Sequence, residues 1–315
     1  MLHLLPYEKL NFRVDFRNDI RQPALPRFPN YTVFTQRLYA NQMDNWQDLT
    51  FSLLGRLGQS AQFNLNFSKN KWEPNYDYQF TGIDFNNNIF SFSEIGLGFR
   101  LVFAEKIVRF LGNEISESRY PQISISYKKG FEGLWEGQFN FDQVLLSIQD
   151  DFRIRNFGET TLRLEAGYNN GDLPYSRLFT SSGIGGGFQW LEIDNTFQTM
   201  DLNEFLSDRF VHLFFMHNFG TLLLKSKKFA PEISVVHNIG FGKLKNPDLH
   251  QEIDFKTLEN GLLEVGLRVD NIIKLNYFNF MYFGLGGGIY YRYGKNALPL
   301  LEDNFAYRFR LLFSF

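Results

Sequence analysis

The last residues of the chain, Tyr307 to Phe315, restrict its fold more than any other stretch. Tyr307, Phe309, Leu311, Phe313 and Phe315 alternate with Arg308, Arg310, Leu312 and Ser314. A period of two sends alternate side chains to opposite faces of a strand. A soluble sandwich strand alternates too, but it rarely turns two arginines inward while ending the protein on an aromatic residue. A transmembrane barrel has lipid outside, a polar lumen inside and aromatics near the interface, so it accommodates both faces.

Composition points the same way. The chain of 315 residues holds 37 phenylalanines and is 18% aromatic, an excess that suits a lipid-facing surface better than a soluble core led by Leu, Val and Ile. Its mean hydropathy is nevertheless -0.26, because each outward Phe is answered by an inward polar residue. The longest uncharged run, between Lys274 and Arg292, contains Asn276, Asn279, Gly284, Gly286, Gly287 and Gly288 and is too short for a spanning helix. A net charge of -2 argues against nucleic acid as a partner. The absence of cysteine removes disulfides, thiolate metal sites and cysteine nucleophiles. Met1 to Pro6 has neither the basic start nor the apolar core of a signal peptide, yet alternation begins near Leu10. The expectation is a single β-barrel over residues 1–315, truncated at its N-terminus.

Alternation marks about fourteen candidate strands. They are Leu10 to Arg17, Tyr31 to Tyr39, Asp48 to Gly58, Gln62 to Phe67, Tyr76 to Phe85, Ser91 to Phe103, Gln122 to Lys129, Gln138 to Phe157, Thr161 to Asn169, Arg209 to Phe219, Glu232 to Gly242, Leu262 to Asn271, Leu275 to Tyr293 and the terminal strand. Period slips suggest a bulge near Asp142 and, near Met281, either a bulge or aromatics pointing inward for part of the strand. Ile107, Val108, Phe110 and Leu111 read as a short helix or interfacial loop. Asn170 to Ser207 abandons periodicity and far exceeds a hairpin loop, which marks it as functional or disordered.

Five strands follow that segment. The sixth extracellular loop of sixteen-stranded BamA-like (surface-antigen) barrels, which folds into the lumen, has the same place. The terminal strand likewise resembles the recognition strand of Gram-negative outer-membrane barrels. The run Phe197 to Phe215, with its Phe205-Leu206-Ser207-Asp208-Arg209 core, and Asp172-Leu173-Pro174-Tyr175 before it resemble a narrower group over roughly residues 90–315. That group is the Bacteroidota outer-membrane barrels that carry an N-terminal carboxypeptidase-regulatory-like domain. The resemblance implies a sixteen-stranded barrel when complete, with that domain and about two strands absent here, and residues 171–207 folded inward. The Arg-Gly-Phe motif of the BamA-like loop tip has only Ser176-Arg177-Leu178-Phe179 nearby, without the glycine.

An inward loop needs lumenal partners. Alternation supplies Glu94, Arg100, Arg163, Glu165, Glu264, Arg268, Asp270, Arg308 and Arg310, whose mixed signs suit ion pairs more than a one-sign filter. They read first as a solvated lumen wall, the default in such barrels, and otherwise as partners of Arg177 or Glu192 in the loop. Asp208 and Arg209 join these candidate contacts, and Tyr307, Phe309, Leu311, Phe313 and Phe315 form the terminal barrel signal. Inward glycines, among them Gly96, Gly98, Gly266, Gly284, Gly286 and Gly288, leave room either for loop backbone or for the bends that curve a barrel.

Catalysis finds no constellation. The five histidines are scattered, and His212 and His217 point to opposite faces of one strand, so they cannot share a metal. None of His212, His217 or His237 has a serine two residues on, the spacing an outer-membrane phospholipase would need. No enzyme, cofactor or metal is expected. The expected role, carried by fold analogy, is assistance with insertion or export of envelope proteins in the bacterial outer membrane. Its partners would be outer-membrane lipids, barrel-assembly machinery and unfolded envelope proteins. The first alternative is a passive or gated channel for small solutes, and the second a structural or surface-adhesion barrel.

Overall fold

The computed structural model describes residues 2–3, 10–24, 42–58, 60–82, 88–103, 106–110, 113–117, 120–181, 183–184, 190–224, 230–277 and 281–314. Twelve long strands dominate: β1 (Leu10–Arg21), β2 (Asp44–Leu57), β3 (Ala61–Pro74), β4 (Phe90–Val102), β5 (Gln122–Gly130), β6 (Phe141–Ile154), β7 (Gly158–Asn170), β8 (Arg209–Asn218), β9 (Glu232–Lys243), β10 (Leu262–Tyr277), β11 (Met281–Tyr293) and β12 (Phe305–Ser314). With the short Leu2–His3 strand on β1, they form one thirteen-stranded antiparallel sheet whose spatial order follows the chain. This up-and-down order needs only hairpin connections.

The faces of the sheet are inverted relative to a soluble protein. On β12, Tyr307, Phe309 and Leu311 are 65%, 58% and 57% exposed, while Arg308 between them is buried. On β4, Ile95, Leu97 and Phe99 point out and Glu94 is buried. Arg163, Glu165, Glu264, Arg268, Asp270 and Arg292 are buried as well. An apolar outer surface around a polar interior is the pattern that hydrocarbon solvent selects.

The sheet curls. Gln79–Phe80, after β3, pairs with His250–Gln251, after β9, and the Thr180 N–H donates to the Ala24 carbonyl at 2.6 Å. Segments distant in strand order meet because the sheet wraps around them. Beneath these contacts Trp46, Trp72, Tyr78, Phe80, Phe90, Phe92, Phe139 and Phe141 pack with Leu173, Tyr175 and Leu178 into an aromatic roof over the lumen. The long connections 131–140, 171–208, 244–261 and 294–304 share this loop end, while 155–157 is a tight turn at the other.

Several expectations are corrected. The Tyr31 to Tyr39 strand is not among these, since it lies outside the described residues. Within Tyr76 to Phe85 the pairing among the described residues is at Gln79–Phe80, because Tyr78 turns into the roof; 83–85 lie outside the described residues. Ile107, Val108 and Phe110 lie in a hairpin of Lys106–Phe110 with Asn113–Glu117 instead of a helix, as β-branched residues favour. Register is continuous through Asp142. The bulge lies in β10, where register shifts between Val269 and Ile273 around Asn271 at φ 55°. Asn tolerates that left-handed backbone, so β10 continues to Tyr277 and β11 starts at Met281.

Candidate functional site

Three sets of contacts hold the connection between β7 and β8 inside the sheet. The first is at the roof, where Pro174 precedes a single 3-10 turn, Tyr175–Arg177, and all three turn residues are buried. Arg177 Nη2 lies 3.0 Å from Glu94 Oε2, and its guanidinium stacks 4.4 Å from the centre of the Phe92 ring. Lys128 approaches Glu94 at 3.4 Å, Ser68 donates to it at 3.2 Å, and Asn169 donates to the Arg177 carbonyl at 2.9 Å. Beside them the Tyr175 N–H donates to the Tyr78 hydroxyl at 2.8 Å, and that hydroxyl bonds His250 Nδ1 at 2.9 Å. Burial pushes the His250 imidazole down to about 4, against the opposing pull of Asp172.

The second set lies where the loop crosses β10 and β12. Arg310 Nη1 is 2.8 Å from Glu192 and 2.7 Å from Asp194, and its Nε is 3.0 Å from Asp270. Arg268 reaches Glu192 and Asp194 at 3.3 Å and Asp270 at 3.1 Å. Two guanidiniums therefore share three carboxylates drawn from strand and loop. Nearby, Glu264 accepts from the backbone N–H and hydroxyl of Thr199 at 2.6 and 2.7 Å and from Asn238 at 2.7 Å. Arg308 donates to the Gln198 carbonyl.

The third set is a carboxylate fork at the loop end. Arg292 gives Glu204 two hydrogen bonds, 3.0 and 2.9 Å, and Lys256 adds one at 2.9 Å. Burial alone would raise the Glu204 carboxyl, but the Arg292 and Lys256 contacts outweigh it and hold it below its ordinary value.

The loop also reaches the edge of the sheet. Leu191 forms a parallel bridge with Phe309 of β12, the last strand in the sheet order. The Phe309 N–H donates to the Trp190 carbonyl, and the Glu192 N–H donates to the Phe309 carbonyl at 2.9 Å. Among the described residues, the side of β12 facing away from β11 meets backbone partners only there. One bridge supplies two hydrogen bonds, each worth about 0.5–1.5 kcal/mol net.

Of the residues singled out from sequence, Arg177, Glu264, Arg268, Asp270, Arg308 and Arg310 thus meet the loop or lie in its ion cluster. Asp208 is buried at the junction with β8 and accepts from the Lys245 N–H at 2.7 Å. Arg209 is a correction: one residue further on, it shares the outward face with Val211, about half exposed, 3.3 Å from Asp208. Tyr307, Phe309 and Leu311 face outward; the Phe313 side chain and Phe315 lie outside the described residues. The inward glycines serve the two purposes unequally. Tyr290 covers Gly266 and Gly288, whereas Gly240 and Gly242 face Phe197 and Ser207 of the loop. Sequence reasoning missed Asp194, Thr199, Gln198 and the Glu204–Arg292 fork, since aperiodic loops give no facing signal.

A family model described as "Family of unknown function (DUF5686) C-terminal domain" matches residues 34–255, more than half the chain. The chain belongs to this family. The DUF5686 match takes in the inward loop and ends in the connection that carries His250. No curated protein matches the DUF5686 chain. Among solved structures, BamA from Haemophilus ducreyi lacking POTRA domains 1-3 is similar, with a TM-score of 0.57 and 10% identity, over 98% of the DUF5686 chain and 60% of that chain. The DUF5686 chain therefore spans less than two thirds of that structure's length. At this identity the likeness is one of fold: an all-β barrel of the BamA type.

Proposed function

We propose that this barrel assists the insertion or export of envelope proteins in the bacterial outer membrane, acting without catalysis through the edge of β12. The observation that carries the reading is the Leu191–Phe309 bridge. A loop clamped in the lumen by buried ion pairs holds the last strand through one weak contact, which an incoming strand could replace with a full ladder of edge hydrogen bonds. The BamA likeness supports this role by analogy of fold. On this reading the partners are membrane lipids, assembly machinery and unfolded envelope proteins. The chain would be the membrane part of a longer Bacteroidota protein whose N-terminal carboxypeptidase-regulatory-like domain lies outside the bilayer.

The test is a quantitative outer-membrane proteome after deletion of the full-length gene in its native host, complemented by the wild-type gene. Loss of a defined subset of barrels or surface lipoproteins with unchanged transcripts supports the reading and names the cargo. Unchanged proteins with slowed uptake of a solute would overturn it in favour of a channel.

A further inference from the structure

The outward face of β6 to β9 carries a feature that the β12 edge does not use. Cross-strand register aligns Val144, Tyr168, Arg209 and Lys243 in one row near the loop end. The next row toward the membrane centre is Leu146, Ala166, Val211 and Phe241, and the one after it is Ile148, Leu164, Leu213 and Ile239. Ala166 offers only a methyl between Leu146 and Val211, so the surface dips there into an open depression of about 710 Å³ whose rim includes Tyr168, Phe241, Arg209, Lys243 and the Glu259 carboxylate. The result is an apolar furrow with two cations above it.

Each of those cations has one carboxylate at ion-pair distance and stays about half exposed to a further anion. The Arg209 and Lys243 side chains are 48% and 55% exposed, and their acidic partners stand at 3.3 Å (Asp208) and 3.5 Å (Glu259). Asp208 is shared, since it also accepts from the Lys245 backbone, and Lys245 adds a third positive charge. A cationic row directly above apolar rows matches the boundary between lipid phosphates and acyl chains. Long connections mark the extracellular end of such barrels, which puts this row at the outer leaflet.

We infer that this furrow binds a phosphorylated, multiply acylated glycolipid of the outer leaflet, with its phosphate on Arg209 and Lys243 and its chains over Ala166. Width decides between lipid classes. From β6 to β9 is three strand spacings, ~14 Å, and an acyl chain is about as wide as one spacing. A two-chain phospholipid would leave part of the furrow uncovered. The inference rests on the outward face being membrane-facing, as the proposed function also requires.

Native mass spectrometry of the full chain in detergent, titrated separately with lipid A and with phosphatidylglycerol, tests it. The wild type is expected to retain one lipid A at least tenfold better than phosphatidylglycerol. The R209Q/K243Q pair should lower lipid A retention at least tenfold. Ala166→Leu, which fills the furrow and leaves the charges intact, should lower it several-fold. Equal retention of both lipids, no retention of lipid A, or wild-type retention by the variants would overturn the inference. Insertion of each variant into liposomes, scored by protease protection, separates the two readings. Wild-type failure to insert would defeat the membrane reading itself, whereas normal insertion without lipid A selectivity would defeat only this site.

Discussion

Arg177 of the inward loop sits 3.0 Å from Glu94 on β4, the two side chains being 9% and 4% exposed. Removing one partner from a buried pair strands the other charge and costs about 3–5 kcal/mol, whereas replacing both is often neutral. Arg177→Met should therefore lower the unfolding midpoint in detergent strongly, and R177M/E94Q should recover most of the loss. Non-recovery in the double variant would show that Phe92 stacking, or the Lys128 contact that E94Q also removes, outweighs the Arg177–Glu94 pair in holding the loop.

The Glu192 and Asp194 carboxylates touch the same two arginines but differ in burial, 3% against 61% exposed. Exposed pairs contribute about 0–1 kcal/mol because water screens them, so Asp194→Asn should barely loosen the loop. Glu192→Gln should loosen it by about tenfold or more in exposed population, the equivalent of ~1.4 kcal/mol. The chain lacks cysteine, so a single cysteine replacing the buried Met200 reports this through its maleimide labelling rate. Equal rates in the two backgrounds would contradict the argument.

The alternation at Tyr307 to Leu311 made the barrel legible because period-two patterning repeats along every strand. The place of the long loop was legible from its lost period and the five strands after it. Its anchors were legible only in half: Arg268, Asp270 and Arg310 sit on strands whose facing can be counted, while Asp194 and Glu204 come from a loop where spacing says nothing of direction. Arg209 was misplaced although its strand start was read correctly, because β8 is apolar on both faces (Val211, Leu213 and Phe215 against Phe210 and Phe214), and parity alone does not say which face is inner. The β10 bulge was hidden for a related reason. The irregularity around Asn271 adds two residues to β10 between the Val269–Gly287 and Ile273–Leu285 pairs, so counting parity is the same on both sides of it.

The buried His250 imidazole, at about 4 instead of its ordinary 6.5, makes the roof sensitive to acid. The folded form excludes a proton that the unfolded form binds, so the stabilisation is complete above pH 6.5 and declines as pH falls toward 4. The slope is ~1.4 kcal/mol per pH unit within that window. Proteolysis of connection 244–261 should accelerate between pH 6 and 4.5 in the wild type. His250→Phe, which keeps the stacking on Tyr78, should flatten the profile. An unchanged profile would mean that another group gates the roof.

Gly240 and Gly98 separate the two uses of inward glycine. A Cβ on Gly240 would lie 2.8 Å from the Phe197 ring and 3.1 Å from His212, within the cluster of Phe197, Met200, Phe205, Phe214, Leu258 and Leu262. A Cβ on Gly98 would meet nothing nearer than 3.9 Å. Overpacking a filled interior typically costs about 1–3 kcal/mol, while Ala in place of a strand Gly with open space recovers part of the entropy that Gly loses on folding. Gly240→Ala should thus destabilise the fold and raise labelling of the Met200→Cys reporter, and Gly98→Ala should leave both unchanged or make the barrel slightly more stable. If Gly240→Ala is silent, Phe197 has room to move, and the loop is held by its ion pairs rather than by its fit against β9.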